Sequence, residues 1–158
     1  SEDPGTRVSL EQELAALKLY FDIERMRFED RLQTSFDIEP GAEKVCIPSM
    51  ILQPLAENAV KYAVTPQEEG ASIMVSARRV GQDRVFIDVA DTGPGLNAAR
   101  PIFVDGTGVG LKNIRDRLAE SYGDKASFML ADRPEGGVVA RLDIPYDTNT
   151  GKLEEPSA

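Results

Sequence analysis

The sequence predicts an α+β fold, a two-layer sandwich in which a mixed β-sheet carries helices on one face and one long helix precedes the sheet. Three observations lead to this prediction. An apolar helical period fills residues 9–33, short segments of alternating apolar residues follow, and two further helical segments lie among them. The order along the chain is helix, strand, helix, two strands, a glycine-rich loop, helix and two strands. Such an order favours helices layered on a mixed sheet.

The composition indicates one globular domain. The chain has 158 residues, of which 41% are apolar, enough for a hydrophobic core and too many for a disordered chain. No apolar run approaches the roughly 20 residues that span a bilayer, and the polar start lacks the apolar core of a signal peptide. The single cysteine, Cys46, lies in the apolar context KVCIP and is expected to be buried. A net charge of −9 argues against a nucleic-acid partner, whose binding surface should be basic.

Residues 1–8 are polar and are expected to form a disordered lead-in before a long helix over residues 9–33. Ser9 and Gln12 form a capping box at the start of this helix. An apolar stripe of helical spacing runs along it and comprises Leu10, Leu14, Leu17, Phe21 and Phe28. The stripe either packs the helix on its own domain or pairs it with another helix in a hairpin or a dimer, and the sequence leaves both open.

The next segments alternate between strand and helix. QTSFDIE (33–39) is a strand candidate, and MILQPLAENAVKYAV (50–64) is a second helix that Pro54 should bend or end unless the helix starts there. Residues 72–79 and 84–91 alternate apolar and polar side chains and predict a hairpin.

The last elements follow the glycine-rich loop. Residues 110–123 predict a helix that ends at Gly123, and 127–132 with 138–145 predict a second hairpin across RPEGG. The polar tail, residues 147–158, is expected to be frayed.

GTGVGL, residues 106–111, is a candidate functional motif. It lacks the Lys-Ser/Thr of a Walker A loop, and its glycine spacing, GxGxG, is not the Rossmann fingerprint. A plain loop is the more common explanation of such a motif. This one leads directly into a helix, however, and free N–H groups at a helix N-terminus beside glycines form an anion site. In so acidic a chain, a polyphosphate would need backbone N–H groups, a metal ion and a few local cations.

Two further motifs carry side chains suited to a nucleotide. Asp91 ends an apolar strand in DTGPGL, where its carboxylate could accept a hydrogen bond from an amine such as adenine N6. Gly93 and Gly95 would let the backbone pass close to a flat ring, and an Asp-x-Gly turn is the structural alternative. In LQPLAENAVKYA, Asn58 and Lys61 share one helical face. The Asn58 amide oxygen could ligate Mg²⁺ and the Lys61 ammonium a phosphate, or both could simply face solvent.

Together the three motifs resemble those of a known family. ENAVKYA resembles the N box, DTGPG the G1 box and GTGVGL the G2 box of the GHKL, or Bergerat, ATP-binding fold, which histidine kinases, DNA gyrase, Hsp90 and MutL share. The motifs occur in the family's order, and the resemblance covers roughly residues 35–146. It implies an ATP-binding catalytic domain over residues 34–146.

The first helix narrows the resemblance. SLEQELAALKLYFDIERMRFEDRL, followed by LQPLAENAVKYA and GTGVGLKNIRDRLAESYG, is similar to sensor histidine kinases of the LytS type. This implies that residues 9–33 are the second helix of a dimerisation hairpin. The phosphoacceptor histidine of that family lies in the first helix of the hairpin, which would precede Ser1, and this agrees with a chain that contains no histidine.

The resemblance also implies roles for individual residues. Asn58 would bind Mg²⁺ and, with Glu57, form the catalytic set, while Lys61 would contact the phosphates and Asp91 the adenine N6. The lid would be residues 96–107, with Phe103 as an apolar latch. The implied ATP-binding residues are Asn58, Lys61, Tyr62, Asp91, Gly93, Gly95, Gly106, Thr107, Gly108, Val109, Gly110 and Leu111.

A few positions bear on the reaction itself. LytS-type sequences often read Lys-His where this chain reads Lys61-Tyr62, so a tyrosine ring would stack or pack in place of an imidazole. By this resemblance, the hydrolases of the fold would activate water with a glutamate four residues before the N-box asparagine. In this chain that position is Pro54. Because proline cannot orient or deprotonate water, hydrolysis should be slow and ATP should be held for a separate acceptor. Asn113 and Arg117, in LKNIRDRL, match the family pattern without an assigned role.

The sequence therefore predicts the ATP-binding catalytic domain of a two-component sensor histidine kinase. It would donate the γ-phosphoryl group of ATP to a histidine of its own or a partner subunit, and thence to the receiver domain of a response regulator. The expected cofactors are ATP and Mg²⁺, the full-length protein is expected to be a homodimer, and no nucleic acid is expected. A cytoplasmic location is expected, with any membrane anchor of the full-length protein N-terminal to this chain. The alternatives are an anti-sigma-factor type serine kinase of the same fold and a catalytically weak dimerisation or docking domain.

Overall fold

A computed structural model describes residues 6–96 and 109–149. Short 3₁₀ turns occupy Glu29–Arg31 and Ala42–Lys44, and a π-helical turn occupies Val60–Val64. Within the described ranges the helices and strands are, in chain order, β1 Arg7–Ser9, α1 Leu10–Phe28, β2 Leu32–Ile38, β3 Cys46–Pro48, α2 Gln53–Ala59, β4 Ala71–Val80, β5 Arg84–Asp91, α3 Val109–Tyr122, β6 Ser127–Asp132 and β7 Val138–Pro145.

The main sheet has five strands in the order β2-β4-β5-β7-β6. β2 runs parallel to β4 and the other neighbours pair antiparallel, so the sheet is mixed, as predicted. The predicted strand at 33–39 and the two predicted hairpins are confirmed as β2, β4–β5 and β6–β7. Alternate positions of β4, β5 and β7 are buried, which places one face of the sheet against the helices.

The apolar stripe predicted for α1 lies in the hydrophobic core. Leu10, Leu17 and Phe21 are each at most 1% exposed and belong to one cluster with residues of α2, α3 and the sheet. Through this stripe the helix packs on its own domain, which was one of the two open interpretations. The helix is shorter than predicted because the chain turns at Glu29, whose φ is +55°, before it enters β2.

A second set of apolar side chains on α1 faces solvent. Leu19 and Ile23 are each 65% exposed, Met26 is 83% exposed, and Ala16 is also exposed. These four residues, called the exposed stripe below, follow one another at steps of three and four. That spacing is typical of the seam between paired helices.

Residues 6–8 are ordered, which departs from the disordered lead-in expected there, and residues 1–5 lie outside the described residues. β1 pairs antiparallel with β3, a strand that the sequence did not predict. The Arg7 guanidinium donates to the Ser121 carbonyl at 2.7 Å and forms an ion pair with Asp147 at 3.3 Å. Asp147 begins the tail that was expected to be frayed, so this residue too is held. These partners lie far apart in the sequence, and a local pattern could not show them.

The second helix begins at Gln53, not at Met50 as predicted. Met50 has φ +63° in the preceding turn, a conformation that is incompatible with a helical start. Pro54 lies in the first turn of the helix, where backbone N–H groups have no intrahelical partner to lose. It therefore neither bends nor ends the helix. From Val60 the helix continues as the π turn. Residues 53–64, α2 and the π turn together, are called the Asn58 helix below.

None of the helices within 6–96 and 109–149 combines the length and the apolar character that a membrane span requires.

Candidate functional site

The Asn58 helix buries one side and presents the predicted polar residues on the other. Leu55 and Ala59 are buried, Asn58 is half-buried, and Glu57 and Lys61 are exposed. The amide of Asn58 is therefore at a boundary between core and solvent, where a ligand can reach it.

Glu57 is close enough to α1 to act on it electrostatically. Its carboxylate accepts a hydrogen bond from Gln53 Nε2 at 3.1 Å. Burial raises the pKa of the Tyr20 hydroxyl, on α1, well above its usual range, and the carboxylates of Glu24 and Glu57 raise this pKa further. Glu57 thus adds negative charge on the α1 side of the Asn58 helix.

The π turn changes the geometry that the sequence predicted for Lys61. The prediction placed Asn58 and Lys61 on one face of a regular α-helix, but the helix widens from Val60 onward, and α-helical spacing does not apply there. π turns of this kind are frequent at functional sites. The Lys61 ammonium lies 5.3 Å from the centroid of the Tyr62 ring, so the ring packs beside a cation.

Asp91 is buried at the end of β5, with 2% of its surface exposed. Its Oδ1 accepts hydrogen bonds from the Gly93 N–H at 3.0 Å and the Val138 N–H at 3.3 Å. The first bond is the Asp-x-Gly turn that the sequence offered as a structural alternative. The second comes from β7, so the carboxylate is fixed by the sheet as well as by its own turn.

The glycines after Asp91 lie close to neighbouring protein atoms. A Cβ at Gly93 would lie 2.4 Å from the Ala63 Cβ, and one at Gly95 would lie 2.6 Å from Asp132 Oδ1. At Gly93 the Asp91 turn therefore lies directly against the Asn58 helix. This contact brings two of the three predicted motifs together in one site.

The turn between β6 and β7 also belongs to this site, and the sequence did not assign it. Arg133 Nη1 donates to the Asp91 carbonyl at 3.0 Å, and Asp132 Oδ1 accepts from the Leu96 N–H at 2.6 Å. Gly137 has φ +87°, and a Cβ there would lie 1.9 Å from the Asp91 carbonyl oxygen. The paired glycines of RPEGG were the available signal, but they were interpreted only as a hairpin turn.

The phosphate end of the predicted site is described in part. Gly106, Thr107 and Gly108 lie outside the described residues, as does most of the predicted lid over 96–107 with Phe103. The backbone of residues 109–111 forms the first turn of α3, which agrees with the predicted position of GTGVGL at a helix start.

Of the two residues in LKNIRDRL without an assigned role, Arg117 has a clear contact. Arg117 Nη2 donates a hydrogen bond to the Ser49 carbonyl, in the turn that precedes α2, whereas Asn113 is exposed. Burial lowers the pKa of Arg117, and nearby Glu13 and Glu120 oppose that shift. The helix that follows GTGVGL is thus tied to the start of the Asn58 helix.

Among the residues that the structure describes, no group of three or more His, Cys, Asp or Glu side chains could hold a metal. An amide oxygen such as that of Asn58 suits Mg²⁺, which usually takes most of its ligands from phosphates and water.

Comparisons with known proteins show which family the chain resembles. Residues 48–148 match the family model described as histidine kinase-, DNA gyrase B-, and HSP90-like ATPase. The sensor histidine kinase YesM of Bacillus subtilis is 34% identical over 138 residues, which cover 87% of this chain and 24% of YesM. The sensor protein LytS of Enterococcus faecalis is 30% identical over 150 residues, which cover 90% of this chain and 25% of LytS. The chain spans about a quarter of the length of these relatives.

Solved structures show the same fold. The catalytic domain of the histidine kinase ThkA superposes with a TM-score of 0.67 at 18% identity, covering 89% of this chain and 95% of that domain. The histidine kinase AdeS of Acinetobacter baumannii superposes with a TM-score of 0.67 at 16% identity, covering 89% of this chain and 66% of that one. The predicted two-layer fold is therefore confirmed as that of histidine kinase catalytic domains.

The family match covers more than half of the chain and includes all three motifs. The chain belongs to the histidine kinase-, DNA gyrase B-, and HSP90-like ATPase family, as an ATP-binding catalytic domain related to sensor histidine kinases of the LytS type.

Proposed function

We propose that the chain holds ATP and donates its γ-phosphoryl group to a histidine outside the chain, from which the group passes to the receiver domain of a response regulator. The contact of the Asp91 turn with the Asn58 helix, where a Cβ at Gly93 would lie 2.4 Å from the Ala63 Cβ, carries the proposal. It sets a buried carboxylate and a half-buried amide in one site. The sensor histidine kinase relatives support the same function, and nothing in the comparisons supports the serine kinase alternative.

In this proposal the Asp91 carboxylate accepts a hydrogen bond from adenine N6. Its burial and its two backbone N–H partners support this role, because they hold the side chain in one orientation. The exposed ammonium of Lys61 would contact the phosphates. Residues 106–111 would complete the phosphate end, since a helix N-terminus favours anions.

Mg²⁺ fits the residues present, and Asn58 would hold it. The bound ion would neutralise charge that develops on the phosphate oxygens during transfer. The protein then needs to supply one amide oxygen, and Asn58 is half-buried on the helix against which the Asp91 turn packs.

The transfer forms a bond between the histidine nitrogen and the γ-phosphorus and breaks the bond from that phosphorus to the β–γ bridging oxygen, with ADP as the leaving group. Catalysis of this kind depends on positioning and charge neutralisation. Pro54, in the first turn of the Asn58 helix, offers no group that could activate water, so hydrolysis should be slow.

We further propose that α1 pairs through its exposed stripe with the first helix of a hairpin in the full-length protein. The buried stripe already packs in the core of this chain, so pairing requires another face of the helix. Leu19, Ile23 and Met26 supply that face at heptad spacing.

Combining Leu19→Glu with Ile23→Glu is expected to abolish dimer formation by a chain extended through the hairpin. Two carboxylates in an apolar helix seam would have to be buried without partners, which is costly. Sedimentation equilibrium measures the result. Met129→Glu, at a 44% exposed position on β6, is the matched control and should leave the dimer intact. A double variant that stays dimeric would show that another surface forms the dimer.

The proposed function is tested with a hairpin segment that carries the histidine, supplied in trans with Mg²⁺ and γ-labelled ATP. Label is expected on the histidine and should be lost when the metal is chelated. Label on a hydroxyl side chain would favour the serine kinase. A chain that binds no nucleotide, with or without Mg²⁺, would favour the docking role.

A further inference from the structure

Glu13, on α1, holds the N-terminal end of the Asn58 helix. Glu13 is buried, with 5% of its surface exposed. Glu13 Oε1 accepts a hydrogen bond from the Met50 N–H at 3.0 Å, and Oε2 accepts one from the Leu52 N–H at 3.1 Å. Leu52 is the N-cap of α2 and has no side-chain cap of its own. The carboxylate of another helix therefore holds the N–H of the residue from which α2 starts and one N–H of the preceding turn.

Arg31, in the turn that follows α1, holds the C-terminal end of the same helix. Its Nη2 donates hydrogen bonds to three carbonyls, those of Val64 at 3.1 Å, Thr65 at 3.4 Å and Gln67 at 2.7 Å. Carbonyls at this end of a helix lack intrahelical partners. One guanidinium thus fixes the end of the helix and the loop that leaves it.

The signs of these two charges match the helix that they hold. A carboxylate at the N-terminus and a guanidinium at the C-terminus each oppose the partial charge of the helix dipole. Arg117 of α3 adds a third contact, because it donates to the Ser49 carbonyl in the turn that Glu13 holds. The helix is fixed at its ends by α1, by the turn that follows α1, and by α3.

We propose that Glu13 and Arg31 are positioning residues for phosphoryl transfer. They couple the Asn58 helix to α1, so that the position of α1 sets the positions of Asn58 and Lys61 at the phosphates. The inference rests on the roles proposed above for Asn58 and Lys61.

Stability alone does not call for a buried charge at Glu13. Apolar side chains of similar volume stabilise a core as well as buried ionic groups do, or better. A carboxylate that accepts hydrogen bonds from two backbone N–H groups instead fixes both distance and orientation. Because α1 also carries the exposed stripe, a partner helix that displaces α1 would act on both ends of the Asn58 helix.

Glu13→Gln and Arg31→Gln test the inference, each assayed where the variant is fully folded. Each is expected to lower the transfer rate, or raise the KM for ATP, between about 10- and 100-fold, as small misplacements of reacting groups do. Arg31→Lys keeps the charge and should retain part of the activity. Arg84→Gln is the matched control, since Arg84 Nη2 also donates to a backbone carbonyl, at 2.6 Å, but at the end of β5 remote from Asp91.

Amide hydrogen exchange without nucleotide is the second readout, and faster exchange across residues 53–64 is expected in both variants. Variants that match Arg84→Gln in transfer, affinity and exchange would overturn the inference. A wild-type chain that binds no ATP would refute the proposed function instead. The exchange data would then still show whether Glu13 and Arg31 couple the Asn58 helix to α1. If Glu13→Gln does not fold, the Arg31→Gln variant tests the inference alone, since Arg31 is only half-buried.

Discussion

Asn58→Ala is expected to lower the rate of phosphoryl transfer to the hairpin histidine by at least about 100-fold, as the loss of one preorganised polar group at a reaction centre does. A methyl group offers no ligand where the amide oxygen is proposed to hold Mg²⁺. The fold should tolerate the change, because Asn58 is half-buried and alanine favours a helix by up to about 0.7 kcal/mol. The free energy of unfolding should change by less than about 1 kcal/mol. Single-turnover transfer from γ-labelled ATP, at several Mg²⁺ concentrations, measures the effect.

Gln53→Ala is the matched control for this change. Gln53 lies on the same helix, and its removal costs an amide and one hydrogen bond to Glu57 without touching the proposed metal ligand. Transfer by this variant should stay close to the wild-type rate. Asn58→Asp keeps an oxygen ligand and should regain part of the activity at high Mg²⁺ concentration. Transfer at the wild-type rate by Asn58→Ala would contradict the metal role.

Local periodicity was enough to predict the elements whose residues show a clear period. The strands of the first hairpin alternate apolar and polar residues, and the buried stripe of α1 has helical spacing, so both could be predicted from neighbouring residues alone. β1 and β3 are three residues each, too short to show a period, and they exist because they pair with each other. The start of the second helix depends on the left-handed Met50, which no residue pattern indicates.

The residues of the site also fall into two groups, those that a sequence motif identifies and those that only the fold brings together. Asn58 and Asp91 could be proposed from the sequence because each lies in a recognisable motif, whereas Arg31 contacts carbonyls that only the folded chain brings to it. Glu13 left one usable signal, since it is a charged residue beside Leu10 and Leu14 on the buried side of α1. A charge in such a stripe is expected to have a specific partner. Its partners are backbone groups of a distant turn, and the sequence cannot identify those.

Gly137→Ala is expected to destabilise the chain by about 2–5 kcal/mol and to abolish ATP binding. The left-handed backbone, with φ +87°, costs a side chain about 1–2 kcal/mol. A Cβ 1.9 Å from the Asp91 carbonyl oxygen and 2.9 Å from the Thr92 Cα adds overpacking of about 1–3 kcal/mol. Relief of that contact must move the Asp91 turn, which the Val138 N–H holds through Oδ1. Urea denaturation measures the stability, and titration calorimetry measures the binding of ATP.

A variant at the adjacent Gly136 separates the effect of backbone strain from the effect of overpacking. It also has a left-handed backbone, with φ +106°, but a Cβ there would meet no atom within 4 Å. Gly136→Ala should therefore lose only the stability that corresponds to a side chain in a left-handed backbone conformation, and it should keep its affinity for ATP. Equal losses in both variants would mean that backbone strain alone is responsible. A loss of ATP binding confined to Gly137→Ala would instead tie the adenine end of the site to the β6–β7 turn, because of the two glycines only Gly137 would place a Cβ against the Asp91 carbonyl.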